Sequence, residues 1–328
     1  MPSIIATEYA ASGACGSNCF DGTYVWTAHQ SGTTLALQQF NPSTGAELNS
    51  YTITLTGNAT SSGMLIYFSG SLWYQEATAY LAQIDPATGL LLNEFLIDTT
   101  GTDTDIAGRG IDTDGTDLYV AYDARDVSMT GFSAACQMTT AGVINWTTKY
   151  TVTTEQAIGP VVDGSFLYVN DGNSGNVYQL NLSGSVTETI PVGANLGQMI
   201  ASSSYLTVLA TNGNLYQVNL STFAVTGPFA IPSSHFPFNL VADPSGNIWV
   251  LDLSFSPFIF YVDVFSSSCT PIGSVTTNFT NTNAGTLCYD TVSSRVWTNG
   301  IDPSLVMLAM GFAAPRSSQQ PVGFVVTA

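Results

Sequence analysis

Positive charge is nearly missing from this chain. Five lysines and arginines (Arg109, Arg125, Lys149, Arg295 and Arg316) stand against 23 aspartates and glutamates in 328 residues, a formal net charge of −18. Such a surface repels phosphate backbones and anionic headgroups, which argues against nucleic acid and membranes as partners. Long apolar runs are missing too: SLVMLAMGF (304–312) is far shorter than the ~18–20 residues of a spanning helix, so no membrane insertion is expected. The opening MPSIIATEYAASGACG combines no basic leader with no long apolar stretch, and no secretory signal is expected there. Histidine occurs twice, as His29 and His235, and no G-x-S-x-G elbow, HExxH helix or glycine-rich phosphate loop is present. Acid–base work would fall to carboxylates. With no catalytic or cofactor-binding constellation, the expectation is a protein that is not an enzyme.

Cysteine is scarce as well. Five of them (Cys15, Cys19, Cys136, Cys269, Cys288) leave at least one unpaired. In ACGSNC, Cys15 and Cys19 are close enough for a small disulfide, which the sequence leaves open. A zinc site would want more cysteine or histidine nearby. Cys136 and Cys288 sit in apolar strand patterns and read as buried free thiols.

What is abundant is repetition. VYQLNLS (177–183) returns as LYQVNLS (215–221). A turn followed by an aromatic strand recurs as FDGTYVW (20–26), FSGSLWY (68–74), TDGTDLYV (113–120), VDGSFLYV (162–169), SSSYLTV (202–208), DPSGNIWV (243–250) and TVSSRVW (291–297). A second strand carries Gln39, Gln83, Gln137, Gln179 or Gln217 and enters a Ser/Thr/Gly or Pro turn. A Val- and Thr-rich strand follows. Alternating apolar and polar positions are strand chemistry, and the DG, SG and TG pairs supply the positive φ of tight turns. No long amphipathic helix is evident. A four-stranded meander cannot bury both faces alone, so copies packed around an axis are expected.

These features predict one all-β domain over 1–328: a seven-bladed β-propeller of four-stranded antiparallel blades. The blades are expected at about 14–56, 57–100, 101–152, 153–194, 195–232, 233–280 and 281–328, with 1–13 a closing strand or an arm. Over 157–252 the sequence resembles the YVTN-type propeller repeat, and VADPSGNIWVLD (241–252) resembles the related NHL and lyase-type repeat. The resemblance implies a fold that serves surface-layer proteins, virion proteins and some enzymes, and leaves function open.

Most residues that catch the eye have a packing explanation. Trp26, Trp73, Tyr119, Tyr168, Trp249 and Trp297 share one repeat position, as expected of contacts between blades. The glutamines share another, where they would bond neighbouring strands. Trp146 lies off that register. Asp112, Asp114 and Asp117, in DTDGTD, have the spacing of oxygen ligands and are the calcium candidates, although no distal glutamate follows. Asp114-Gly115 also fits a hairpin turn, so no cofactor is the first expectation.

A Ser/Thr/Asn-rich surface without an export signal suits a virion protein that folds in host cytoplasm and later faces outward. The first functional expectation is therefore a non-enzymatic structural or receptor-binding module of a bacteriophage. Its partners would be other virion or assembly proteins, further copies of itself, or a host surface receptor. The alternatives are a metal-dependent propeller lyase or lactonase, and a surface-layer or filament subunit outside the cell.

Overall fold

The computed structural model describes residues 3–12, 16–59, 63–98, 104–126, 128, 130–151, 157–202, 204–231, 236–255, 258–277, 284–300 and 304–311. Every regular element among them is a strand. The chain starts with β1 (Ser3–Ala10) and then lays down sheets in sequence. The first holds β2 (Ser17–Phe20), β3 (Val25–Phe40) and β4 (Glu47–Ala59). The second holds β5 (Met64–Phe68), β6 (Ser71–Gln75), β7 (Tyr80–Ile84) and β8 (Leu91–Leu96). The third holds β9 (Thr104–Thr113), β10 (Leu118–Arg125), β11 (Gly131–Met138) and β12 (Ile144–Lys149). The fourth holds β13 (Ala157–Asp163), β14 (Phe166–Asp171), β15 (Asn176–Asn181) and β16 (Val186–Pro191). The fifth holds β17 (Leu196–Ala201), β18 (Tyr205–Ala210), β19 (Asn214–Asn219) and β20 (Val225–Ala230). The sixth holds β21 (Phe236–Ala242), β22 (Ile248–Phe255), β23 (Phe258–Phe265) and β24 (Pro271–Thr277). The last holds β25 (Ala284–Asp290), β26 (Arg295–Gly300) and β27 (Ser304–Gly311), with β1 paired antiparallel on its outer edge.

This is a β-propeller of four-stranded antiparallel blades. The innermost strands β2, β5, β9, β13, β17, β21 and β25 each pack on the next, and β25 returns to β2. The expectation of seven four-stranded blades is corrected: six sheets have four strands, and the sheet β2–β3–β4 has three. The reason is local. Val25–Phe40 runs as one 16-residue strand that takes in both the aromatic strand and the Gln39 strand expected to be separate. Yet Thr27 Oγ1 donates to Gln38 Oε1 at 3.1 Å. Eleven residues of straight strand would part them by ~36 Å, so β3 doubles back on itself, with Gly32 at φ 63°.

The strands form where composition says they should, and their burial follows their place in a blade. β6 is buried at every residue, because the middle strands pack against a blade on each side. The outermost β12 alternates between half-buried and exposed. Trp26, Trp73, Tyr119, Tyr168, Trp249 and Trp297 are all buried, as one shared repeat position required. Four of these rings pack on an aromatic residue of the outermost strand: Trp26 stacks on Tyr51 (6.4 Å between centroids) and Trp73 on Phe95 (6.0 Å), while Trp297 and Tyr9 (5.8 Å) and Tyr119 and Trp146 (6.2 Å) meet at a tilt. Each outer ring then covers a turn glycine of the following sheet: Tyr9 covers Gly45, Tyr51 Gly89, Phe95 Gly142 and Trp146 Gly184. These glycines have φ between 67° and 87°, and a methyl group there would overlap the ring. The repeated turn glycine thus serves both the turn and the joint between blades. Tyr9 on β1 does for the last sheet what Tyr51 and Phe95 do for theirs.

Four of the glutamines bridge strands within a blade, and Gln217 reaches across to the next one. Gln179 donates to the Tyr168 hydroxyl (2.8 Å) and accepts from Thr187 (2.8 Å). Gln137 donates to the Tyr119 hydroxyl at 2.8 Å. Asn49 and Asn93 donate to Gln39 (2.6 Å) and Gln83 (2.9 Å). Gln217 reaches the Ser267 carbonyl at 2.8 Å.

Candidate active site in the central cavity

Adjacent innermost strands splay around the axis, so they cannot satisfy one another through a regular ladder. Side chains take over that task. Ser17 Oγ accepts from the Leu65 amide (2.8 Å), and Asn239 Oδ1 accepts from the Leu287 amide (2.7 Å). Asn239 Nδ2 donates to Gln198 Oε1 at 2.6 Å. Thr286 Oγ1 accepts from the Asn18 amide (2.7 Å) and donates to Asn18 Oδ1 (2.8 Å). Between these groups lies a cavity of about 430 Å³ whose walls come from all seven innermost strands. Met64, Leu65, Met199 and Leu240 supply its apolar wall, and Asn18, Gln198, Asn239 and Thr286 its polar wall.

Among the described residues that line this cavity, Asp112 is the one carboxylic acid. Its Oδ2 accepts from the Val162 amide (2.8 Å) across the joint to the fourth sheet, and Oδ1 from the Thr113 amide (2.9 Å). It is half-buried and lies among the residues that line the cavity. Burial pushes the carboxyl up to about 6, against the pull of those two amides. It is therefore an acid that gains and loses its proton near neutrality.

Asp114 and Asp117 do other work. Asp114 Oδ1 accepts from the Thr116 and Asp117 amides (2.7 and 2.8 Å), and Oδ2 from the Tyr119 hydroxyl (2.9 Å). Burial opposes it, yet these donors hold Asp114 below the usual carboxylate range. Asp117 accepts from Gln137 at 3.1 Å. The three calcium candidates thus spend their oxygens on three separate tasks. Asp114 belongs to a set: Asp21, Asp243 and Asp290 likewise accept from the indoles of Trp26 (2.7 Å), Trp249 (3.1 Å) and Trp297 (2.8 Å). An aspartate five to seven residues before a strand aromatic was legible as this clamp, and the sequence reading missed it.

The other sequence candidates scatter. His29 is half-buried on β3, and burial lowers it below its ordinary value. His235 and Cys15 lie outside the described residues. Cys19, Cys136, Cys269 and Cys288 are buried free thiols, all pushed up by burial. Propeller lyases and lactonases suggest a divalent metal. Among the described residues, however, no three His, Cys, Asp or Glu converge on a metal-sized site. The amide oxygens of Asn18, Gln198 and Asn239 already accept hydrogen bonds. This donor set does not fit a divalent ion.

No family model matches the chain, and no curated protein matches it either. The fold, in contrast, is shared by 1211 chains of solved structures, too many for fold alone to assign an activity. One is a streptogramin B lyase, with a TM-score of 0.72 and 12% identity over 94% of this chain and 98% of that one. Another is a catalytically inactive histidine-to-alanine variant of virginiamycin B lyase from Staphylococcus aureus with quinupristin. It has a TM-score of 0.72 and 13% identity over 93% of this chain and 99% of that one. Both are propeller enzymes matched along nearly their whole length. The expectations of a non-enzymatic virion or bacteriophage module, and of no enzyme, are corrected on this finding. Those expectations rested on surface composition and on the lack of a contiguous catalytic motif. Neither is diagnostic in a fold that brings residues from distant strands together around one axis.

Proposed function

We propose that this chain is a propeller enzyme of the lyase or lactonase kind, working in the central cavity with Asp112 as its base. The observation that carries the reading is a single carboxyl, poised near neutrality, on the wall of a cavity otherwise lined by amides, hydroxyls and apolar side chains. Above about pH 6 it is ionised and able to take a proton from a bound substrate. Among the described residues the wall holds no lysine or arginine, which favours a neutral, partly apolar substrate over a phosphate or carboxylate.

The reading also takes the three-stranded sheet as a seventh blade of YVTN or NHL type. Its support is the doubled-back β3, the Trp26–Tyr51 stack that matches Trp73–Phe95, and the place of β2 between β25 and β5.

The test is incubation of the purified protein with quinupristin and a panel of simple lactones, with magnesium and with a chelator, followed by mass spectrometry. The expected result is ring opening that declines below about pH 6 and is lost in Asp112→Asn. No turnover across the panel, or full turnover by Asp112→Asn, overturns the proposal.

A further inference from the structure

The geometry points to a pH-operated latch between the first two sheets, in which Glu76 and Glu94 share one proton and its loss loosens the seam. This rests on different residues from the cavity and stands apart from the proposed chemistry.

Glu76 follows β6 and has no accessible surface. Its Oε2 accepts from Gln30 Nε2 of β3 (3.3 Å) and from Thr78 Oγ1 (3.2 Å). Its Oε1 is buried and has no donor among the described residues. The second carboxylate at this seam is Glu94 of β8: Thr56 holds it, and the next residue, Gly57, lies against Glu76 Oε2. Glu94 is itself gripped by the first sheet: Oε1 accepts from the Thr56 amide (2.7 Å), Oε2 from Thr56 Oγ1 (2.6 Å), and the Gly57 amide adds another donor. Two carboxylates, acceptor-only when ionised, share a buried seam most readily with one proton between them. Gly57 permits the approach, because a methyl group there would overlap Glu76 Oε2 and Thr78 Oγ1.

Among the described residues, neither Glu76 nor Glu94 has an ion-pair partner. The titratable groups facing Glu76 are Glu94 from β8 and Tyr74 from β6, whose hydroxyl accepts from the Gly63 amide at 2.7 Å. β3 contributes Gln30, β4 contributes Thr56 and Gly57, the loop Thr78, and β9 sets Gly108 against Gln75 and the Glu76 carbonyl. Burial first, and Glu94 second, push Glu76 up to about 8. Burial pulls Glu94 the same way, yet hydrogen bonds from Glu76, Thr56 and Gly57 hold it below its ordinary value. A glutamate raised in the folded state contributes stability that is complete below its unfolded value of 4.5 and lost as pH rises through about 8.

Glu76→Gln tests the latch, because the amide can donate to Glu94 with no proton to lose. Urea unfolding from pH 5 to 9 should show the wild-type unfolding constant rising about tenfold per pH unit relative to the variant, levelling off above about pH 8. Amide exchange at Thr56 and Gly57, corrected for intrinsic rates, should accelerate over the same range in the wild type alone. Parallel pH dependences in the two proteins overturn the latch. Should the variant not fold, infrared titration of the wild type decides. A protonated carboxylic acid that persists above pH 6 and disappears near pH 8 supports the shared proton, and none above pH 6 overturns it.

Discussion

Replacing Asp112 by asparagine separates the cost of a buried charge from the value of a working one. The carboxyl stands at about 6 in the folded chain against a model-peptide value of 3.8, so the native state holds its proton more tightly than the unfolded state does. Its contribution to stability is complete below about pH 4 and lost as pH climbs through about 6. Two units correspond to roughly 3 kcal/mol. Asp112 keeps contact with the cavity, and screening there brings the figure nearer to about 2 kcal/mol. Asparagine escapes this loss. Its single carbonyl oxygen, however, cannot serve both the Val162 and the Thr113 amides, which costs about 1 kcal/mol. The variant should therefore be about 1 kcal/mol less stable than wild type at pH 4 and about 1 kcal/mol more stable at pH 8, with the curves crossing near about pH 5. Urea unfolding followed by tryptophan fluorescence suits the measurement, since Trp26, Trp73 and Trp297 are buried. Identical pH dependences would refute the reasoning. A variant stabilised at pH 8 and inactive there would show a site that trades stability for chemistry.

The architecture makes its own demands. Gly89→Ala should cost about 2–4 kcal/mol, combining a backbone at φ 67° with overlap on the Tyr51 ring; a melting temperature equal to wild type would break the link between turn glycine and outer aromatic. Removal of residues 1–12 should lower the melting temperature of the isolated protein sharply, because the last sheet loses β1 and the Tyr9–Trp297 ring contact. A truncated chain of unchanged stability and altered assembly would mean that the segment acts as an arm.

The amino-acid sequence by itself determined the class of fold. Strand periodicity, turn glycines and the shared aromatic position are local and repeated, and a repeated local signal is enough to specify blades that bury one another. That is why the buried ring of Trp26, Trp73, Tyr119, Tyr168, Trp249 and Trp297 was legible in advance. The doubled-back course of β3 follows the expected aromatic strand and Gln39 strand, but their merging into one unbroken element was not legible, because a hairpin and a long strand share one alternating pattern. Asp112 looked like part of a turn beside Asp114 and Asp117. Only the closing of the ring turned it onto the cavity wall and set its proton near neutrality, since burial depends on what the fourth sheet brings to Val162. Glu76 and Glu94 carry no motif, and the tertiary structure alone joined them. A site assembled across blades has no spacing in sequence, because the distances that matter run around the axis and not along the chain.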